Sequence, residues 1–419
     1  MKKSFFLIRV LSIIAFLILG ITSCDVIINT NQDPHFDDEG TLIKDSTEVP
    51  FQLLQPNKIK FFVEVSGSMN GFFRANQATK FKEDVWRIIS YYSPLADNVT
   101  ILTNDGAVGK SMSFEQYRKS MNTDAFVPGG ATNVLLMLKS ILENIKTEDG
   151  EVAVLISDMK YSPVGMAAPE VLLTQYSTDI SRLFGEYGKA ISLVGASSEY
   201  LDEHNKIICG ESPYYFLILG NQEHVAYMRN GISTLLENNN DLIGNIESGF
   251  NYGTPSYSFG ISDNCFQKES EPTFTGYDPS YSDTCTINLR VDLANYRWAT
   301  TRKDLFPQTF KYKAIYGSEV SVSDIKYVVK NITAKTIERT AYAEVELKIC
   351  NMATESEVIE WTLELPDRDT TEFVPFLGAT TERDVSKSYS LEYFIQGMFY
   401  GGVVNQSLKK NYILISKNS

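Results

Sequence analysis

Histidine is almost missing from this chain, with three among 419 residues. His35 lies in an acidic polar stretch, and His204 and His224 lie in polar segments outside any motif. A serine nucleophile that needs a histidine base therefore has little to draw on. Positive charge is also short: 38 Lys and Arg stand against 52 Asp and Glu, a formal net charge of −14. Such a chain is a poor match for nucleic acid or anionic lipid as its main partner. Cysteine is sparse, and beyond Cys24 the remaining Cys209, Cys265, Cys285 and Cys350 have none of the spacings of a zinc site. In an oxidising compartment those four allow three complete pairings. Cys265 with Cys285 is favoured, since both lie in one Gly- and Ser-rich, turn-dense stretch. No internal repeat is visible, which sets aside solenoid arrays.

Long apolar runs are confined to the first 24 residues. Lys2 and Lys3 form a basic start, an apolar stretch runs from Phe5 to Ile21, and Ile21-Thr22-Ser23-Cys24 closes it. That layout is a secretory signal over residues 1–23. Its ending resembles the lipobox of bacterial lipoproteins, and the resemblance implies a lipid on Cys24 and a place in the bacterial cell envelope, at the outer membrane or cell surface rather than the inner membrane. The alternative is a membrane-spanning anchor, for which the run is at the short end. Losing Lys2, Lys3 and Arg9 with residues 1–23 takes the formal charge from −14 to −17. Residues 24–54 are acidic and lack periodicity, so Cys24 and the residues after it read as a loose tether.

Between residues 55 and 243 short apolar runs alternate with helical patterns. The runs 59–65, 99–103, 152–157, 190–195 and 214–220 are continuous, as expected of strands covered on both faces of a parallel sheet. Helix candidates fall near 79–92, 133–147, 168–186 and 222–238. The pattern predicts an α/β domain: a Rossmann-like, open, mainly parallel sheet with helices on both faces. Over 244–419 the pattern changes to alternating segments such as 286–293, 340–350 and 358–365, which predict a β-rich, sandwich-like domain with one late helix near 388–400 and a last strand at 412–416.

Ligands of open α/β sheets sit beyond the carboxyl ends of the strands. There the chain places Glu64, Ser66 and Ser68 ("EVSGS") after the first run, Thr132 in "VPGGATN", and Asp158 directly after "VAVLIS". Gly67 permits the turn that brings Ser68 back beside Glu64 and Ser66. Acid-x-Ser-x-Ser, then Thr in a Gly-Gly loop, then Asp after a later strand resembles the von Willebrand factor A domain with its metal-ion-dependent adhesion site. The resemblance covers roughly residues 55–240. It implies that Glu64, Ser66, Ser68, Thr132 and Asp158 hold a divalent cation, Mg²⁺ or Mn²⁺ first and Ca²⁺ next, whose shell is completed by an acidic residue of a partner protein. A +2 ion would let an acidic protein bind an acid by inverting the local field.

One letter departs from the family, which begins its motif with aspartate where this chain has Glu64. The extra methylene lets Glu64 take the place of a bound water, favours a larger ion of looser geometry, or marks a decayed site. Two other classes compete: a metal-independent envelope scaffold and a hydrolase using Ser68 or a metal. For the second, "GSMNG" is not a Gly-x-Ser-x-Gly elbow, and Asp105 reads as part of an Asn104-Asp105-Gly106 turn. Ser323-x-x-Lys326 lacks the companion motifs of that chemistry. The sequence therefore reads as a binding module, not an enzyme, and leaves the oligomeric state open.

Overall fold

The structure is a computed structural model, and the residues it describes are 36, 41–43, 51–103, 108–123, 126, 132–161, 169–252, 255–261, 265–270, 272–278, 284–293, 306–330, 340–363, 370–402 and 410–417. The predicted signal, Cys24, His35, Asp105 and the glycines of the 127–131 loop lie outside them.

Seven strands form one mixed sheet: β1 (Lys58–Glu64), β2 (Val99–Leu102), β3 (Val108–Met112), β4 (Glu151–Ser157), β5 (Ala190–Leu201), β6 (Ile207–Gly220) and β7 (Leu242–Ser248), in the order β3-β2-β1-β4-β6-β5-β7. Only β2, β1 and β4 run parallel to one another. The other pairings, β2–β3, β4–β6, β5–β6 and β5–β7, are antiparallel. The expectation of a mainly parallel sheet is thus corrected. A short turn at 202–206 joins β5 to β6, whereas parallel neighbours need a long crossover. Continuous apolar runs mislead here because Leu217, Ile218 and Leu219 of β6 are all buried, as in any strand with both faces covered.

Helices cover both faces. On one, α1 (Lys80–Tyr92) packs Phe81, Val85 and Ile88 against Phe61, Val63 and Val154, as does α5 (Gln222–Glu237) through Val225, Ile232 and Leu236. The short α2 (Phe114–Met121) is not among the expected helices, although its Ser113/Gln116 capping box is written in the sequence. On the other face α3 (Val134–Asn144) and α4 (Pro169–Tyr187) enclose Phe62, Leu155 and Leu217. Phe61 and Phe62 thus enter opposite cores, as strand alternation requires. The late helix α6 (Leu391–Gly401) packs into this second core through Leu391, Phe394 and Met398. The expectation that it completes the β-rich half is corrected. Gly397 lets it approach α4, because a Cβ there would lie 2.6 Å from the Ser177 carbonyl oxygen. A boundary at 243/244 also falls within β7, which pairs with β5 in the first sheet.

The remaining strands form two further sheets. β8 (Tyr257–Ile261), β11 (Cys285–Asp292), β13 (Glu319–Lys330) and β14 (Thr340–Asn351) make one, in the order β13-β14-β11-β8. β9 (Gln267–Ser270), β10 (Thr273–Tyr277), β12 (Phe310–Ala314), β15 (Ser356–Leu363) and β16 (Asn411–Lys417) make the other, in the order β12-β15-β16-β10-β9. Within both, every pair is antiparallel except β10–β16. The sheets share a core in which Tyr257 meets Trp361 edge-on at 5.2 Å and Phe259 meets Phe274 at 5.5 Å. Ala343, Val345, Leu347 and Ile349 are buried, as the alternation of β14 predicts.

Two described positions of the expected tether are docked, while Thr41 and Ile43 are exposed. Phe36 is buried against Val358 and Leu414, and the Leu54 carbonyl accepts from the His224 ring at 2.9 Å. Cys265 and Cys285 form a disulfide, while Cys209 and Cys350 are free. Replacing both Cys265 and Cys285 by serine reopens a loop with a sequence separation of 20. The expected cost is roughly 3 kcal/mol in urea unfolding. An unchanged midpoint would mean that this stretch is held by packing alone.

Candidate functional site

The site is built where β1 and β4 end side by side, with Val63 in register with Ile156. β1 closes at Glu64, and the Val65 N–H still bonds the Leu102 carbonyl at 2.9 Å. Ser66 is extended, after which Gly67–Met69 forms a single 3-10 turn closed by Met69 N–H to Ser66 O at 3.1 Å. Buried Met69 anchors that turn in the core, and the Ser66 and Ser68 hydroxyls are left 2.9 Å apart. Thr132 immediately precedes Asn133, whose side chain caps α3 by accepting from the Leu136 N–H at 3.2 Å. Asp158 follows β4, and Met159 beyond it is held at φ 55°, a conformation unusual for a residue with a side chain. That turn is fastened by the Met159 N–H donating to Ser157 Oγ at 2.7 Å and the Lys160 N–H donating to Asp158 Oδ1 at 3.3 Å.

All five residues picked from the sequence stand at this edge. Glu64 is fully buried and is the hub: its Oε1 accepts from Thr132 Oγ1 at 3.1 Å, and its Oε2 accepts from the Ser157 hydroxyl. Burial, then the nearby Asp158 charge, pushes the Glu64 carboxyl up to about 7, against the opposing pull of the Ser157, Ser66 and Thr132 hydroxyls. Asp158 is 1% exposed, and its Oδ2 has no hydrogen-bond partner among the described residues. An orphaned buried carboxylate oxygen is costly unless something charged or donating faces it.

The donor set is oxygen only: two carboxylates and three hydroxyls beside them. Among the described residues no cluster of three or more His, Cys, Asp or Glu side chains suited to a metal is present, so a cation held here would rely on Ser66, Ser68 and Thr132. A hydroxyl that gives its proton to Glu64 keeps its lone pairs for a cation, which is what Thr132 does. With both Glu64 oxygens engaged by hydroxyls, the carboxylate would orient those hydroxyls rather than reach past them to an ion. The residues present fit a hard divalent ion that retains some water.

Three participants are not among the residues picked from the sequence. Ser157 is legible as the residue before Asp158, on the same strand end. Ser388 and Lys160 are not, because their partners are far away in sequence. Ser388 Oγ donates to the Asp158 carbonyl at 2.9 Å and lies 3.2 Å from Tyr215 Oη. Lys160 Nζ donates to the Asp384 carbonyl at 2.8 Å. The segment leading into α6 thus braces the Asp158 turn from outside. The two described histidines are elsewhere. His224 faces Leu54 and Gly150, ahead of β4 and across the sheet from the site, and His204 sits exposed in the 202–206 turn beside Glu203. Ser323 donates to Glu346 at 2.6 Å and Lys326 pairs with Asp324 at 3.4 Å, so that Ser-x-x-Lys pair is engaged by acids. No protein-family model, curated protein or solved structure matches the chain.

A folded-state carboxyl held above its ordinary value makes its contribution to stability fully present below about 4.5 and loses it as pH rises to about 7. In chelator, Glu64→Gln should therefore gain on the wild type across that interval, by on the order of 1.4 kcal/mol for each pH unit crossed. Urea unfolding of both proteins as a function of pH measures the gap. A gap that stays constant would show an ordinary carboxylate.

Proposed function

We propose that the protein is a cell-envelope lipoprotein, anchored through Cys24, whose α/β half works as a von Willebrand factor A-like module. In this reading Glu64, Ser66, Ser68, Thr132 and Asp158 hold a divalent cation, Mg²⁺ or Mn²⁺ before Ca²⁺. An acidic side chain of a partner protein completes the shell, and the outcome is adhesion or complex assembly rather than catalysis. The observation that carries it is the buried Asp158 carboxylate, unpartnered at Oδ2 beside the Glu64 carboxyl and the Ser66–Ser68 hydroxyl pair. Two neighbouring buried acids repel one another, and a bound cation would remove that cost. The lipidated cysteine and the envelope location rest on the sequence alone.

A metal-independent envelope scaffold is the second reading. What favours it is that Glu64 satisfies both oxygens with hydroxyls and is inclined to hold its proton, so the cluster is self-consistent without an ion. Titration calorimetry separates the two. The metal reading expects saturable Mn²⁺ or Mg²⁺ heats that vanish in Asp158→Ala and weaken roughly 10- to 100-fold in Glu64→Ala, where only the orienting carboxylate is lost. Identical heats from the wild type and Asp158→Ala would remove the metal from the account.

A further inference from the structure

We propose that Arg74 is a second acid-binding group beside the cation site, so that the segment captured from the partner carries two carboxylates: one completes the metal shell and the other lies against the Arg74 guanidinium. This rests on the reading of Glu64, Ser66, Ser68, Thr132 and Asp158 as a cation site.

The sequence around the site favours an acid. From Val65 to Lys82, the stretch that carries Ser66 and Ser68 into α1, there is no Asp or Glu, while Arg74, Lys80 and Lys82 supply positive charge. In a chain of net charge −14, this is a local reversal of sign at the strand end where an acid would arrive. Two of these cations are taken. Lys80 pairs with the buried Asp241 at 2.5 Å, and Lys82 Nζ donates to the Arg74 and Gln77 carbonyls. Arg74 is not: its guanidinium makes no ion pair or hydrogen bond among the described residues, and its Nε is shielded from solvent without an acceptor. In the β5–β6 hairpin, Glu199 accepts from the Lys80 N–H at 3.0 Å and Asp202 from the His204 and Lys206 N–H groups at 2.8 and 2.9 Å, so neither is a partner of Arg74. A free guanidinium gains from a planar anion that takes two parallel N–H bonds, which is what a carboxylate offers.

The group stands near the site and its backbone is fixed. The Leu201 N–H donates to Gly71 O at 3.3 Å, and Tyr200 fills the space that a side chain at position 71 would need, midway in the chain between Ser68 and Arg74. Burial and then the Asp158 charge raise the Tyr200 hydroxyl above its ordinary value, while the Gly71 backbone and the Arg74 guanidinium pull it back. One phenol thus feels both the acid of the cation site and Arg74, so the two stand at the same end of the sheet with Tyr200 as a common neighbour. The Arg74 carbonyl accepts from Lys82 Nζ and from the Gln77 N–H at 3.4 Å. Beyond it, Asn76 takes φ 53° and its N–H donates to Asn122 O at 3.2 Å. Before it, Phe73 packs edge-on against Phe81 at 5.1 Å and Phe126 at 5.0 Å. With the turn held on both sides, only the Arg74 side chain has to be ordered when an acid arrives.

The test titrates capped synthetic peptides, carrying one Asp or two Asp separated by zero to four glycines, into the Mn²⁺-loaded chain by calorimetry. At the spacing that spans both groups, the wild type should bind the two-acid peptide roughly tenfold more tightly than the one-acid peptide, the worth of one charge-assisted pair. Arg74→Ala should lose that preference while keeping the one-acid affinity and the Mn²⁺ heat. Arg74→Lys should keep part of it, since an ammonium retains the charge but not the fork. A preference unchanged in Arg74→Ala, or absent from the wild type at every spacing, overturns the proposal. So does an Arg74→Ala variant that loses its Mn²⁺ heat together with peptide binding, since the residue then only shapes the loop. Inorganic phosphate that binds the wild type in EDTA more tightly than the two-acid peptide, and does not bind Arg74→Ala, also overturns it, because the guanidinium then serves a phosphate. Failure of the metal reading, which would take this proposal with it, has its own signature: the wild type gives no Mn²⁺ heat, and EDTA changes the affinity of neither peptide.

Discussion

Two carboxyl groups buried within reach of one another, at the ends of two adjacent parallel strands, set the terms for this molecule. Glu64 and Asp158 are both almost completely inaccessible, and the Asp158 charge adds to burial in raising the Glu64 carboxyl above its ordinary value. Such a pair persists only where the surroundings over-determine it. Here the surroundings do. Ser157, Thr132 and Ser66 hydroxyls converge on Glu64, Met159 is forced into a left-handed turn behind Asp158, and Ser388 fixes the Asp158 carbonyl from a segment 230 positions away.

The large sheet provides the rigidity this needs. Because β1, β4 and β6 are covered on both faces, neither strand end can shift without disturbing two cores at once. The covering also explains why the chain returns to the first sheet after building the β-rich half. α6 supplies Leu391, Phe394 and Met398 to the core beneath α3 and α4, and the approach to it delivers Ser388 and the carbonyls that receive Lys160. The last helix thus ties the later part of the chain back to the first sheet, next to the Asp158 turn.

Much of this is legible in the sequence because it rests on local periodicity. The strand ends that carry Glu64 and Asp158 follow from two short apolar runs, and Thr132 from the helix start beside it. Strand direction is not legible in the same way, because burial on both faces leaves the same apolar trace whichever way the neighbouring strand runs. The cue that corrects the parallel expectation is the lack of any helical pattern between 196 and 213, which leaves no room for a crossover. The placement of α6, the docking of Phe36 and the role of Ser388 are not legible. Each depends on a contact between segments far apart in the chain, and no local pattern encodes the partner.

The most direct measurement of the central claim is a crystal structure of the protein soaked in Mn²⁺, with anomalous differences collected at the manganese edge. The account predicts a single strong peak in contact with the Ser66 and Ser68 hydroxyls, with Thr132 and Asp158 around it and Glu64 behind Thr132. A map without a peak at that edge, with the Glu64 carboxyl still accepting from Ser157 and Thr132 at neutral pH, would contradict it.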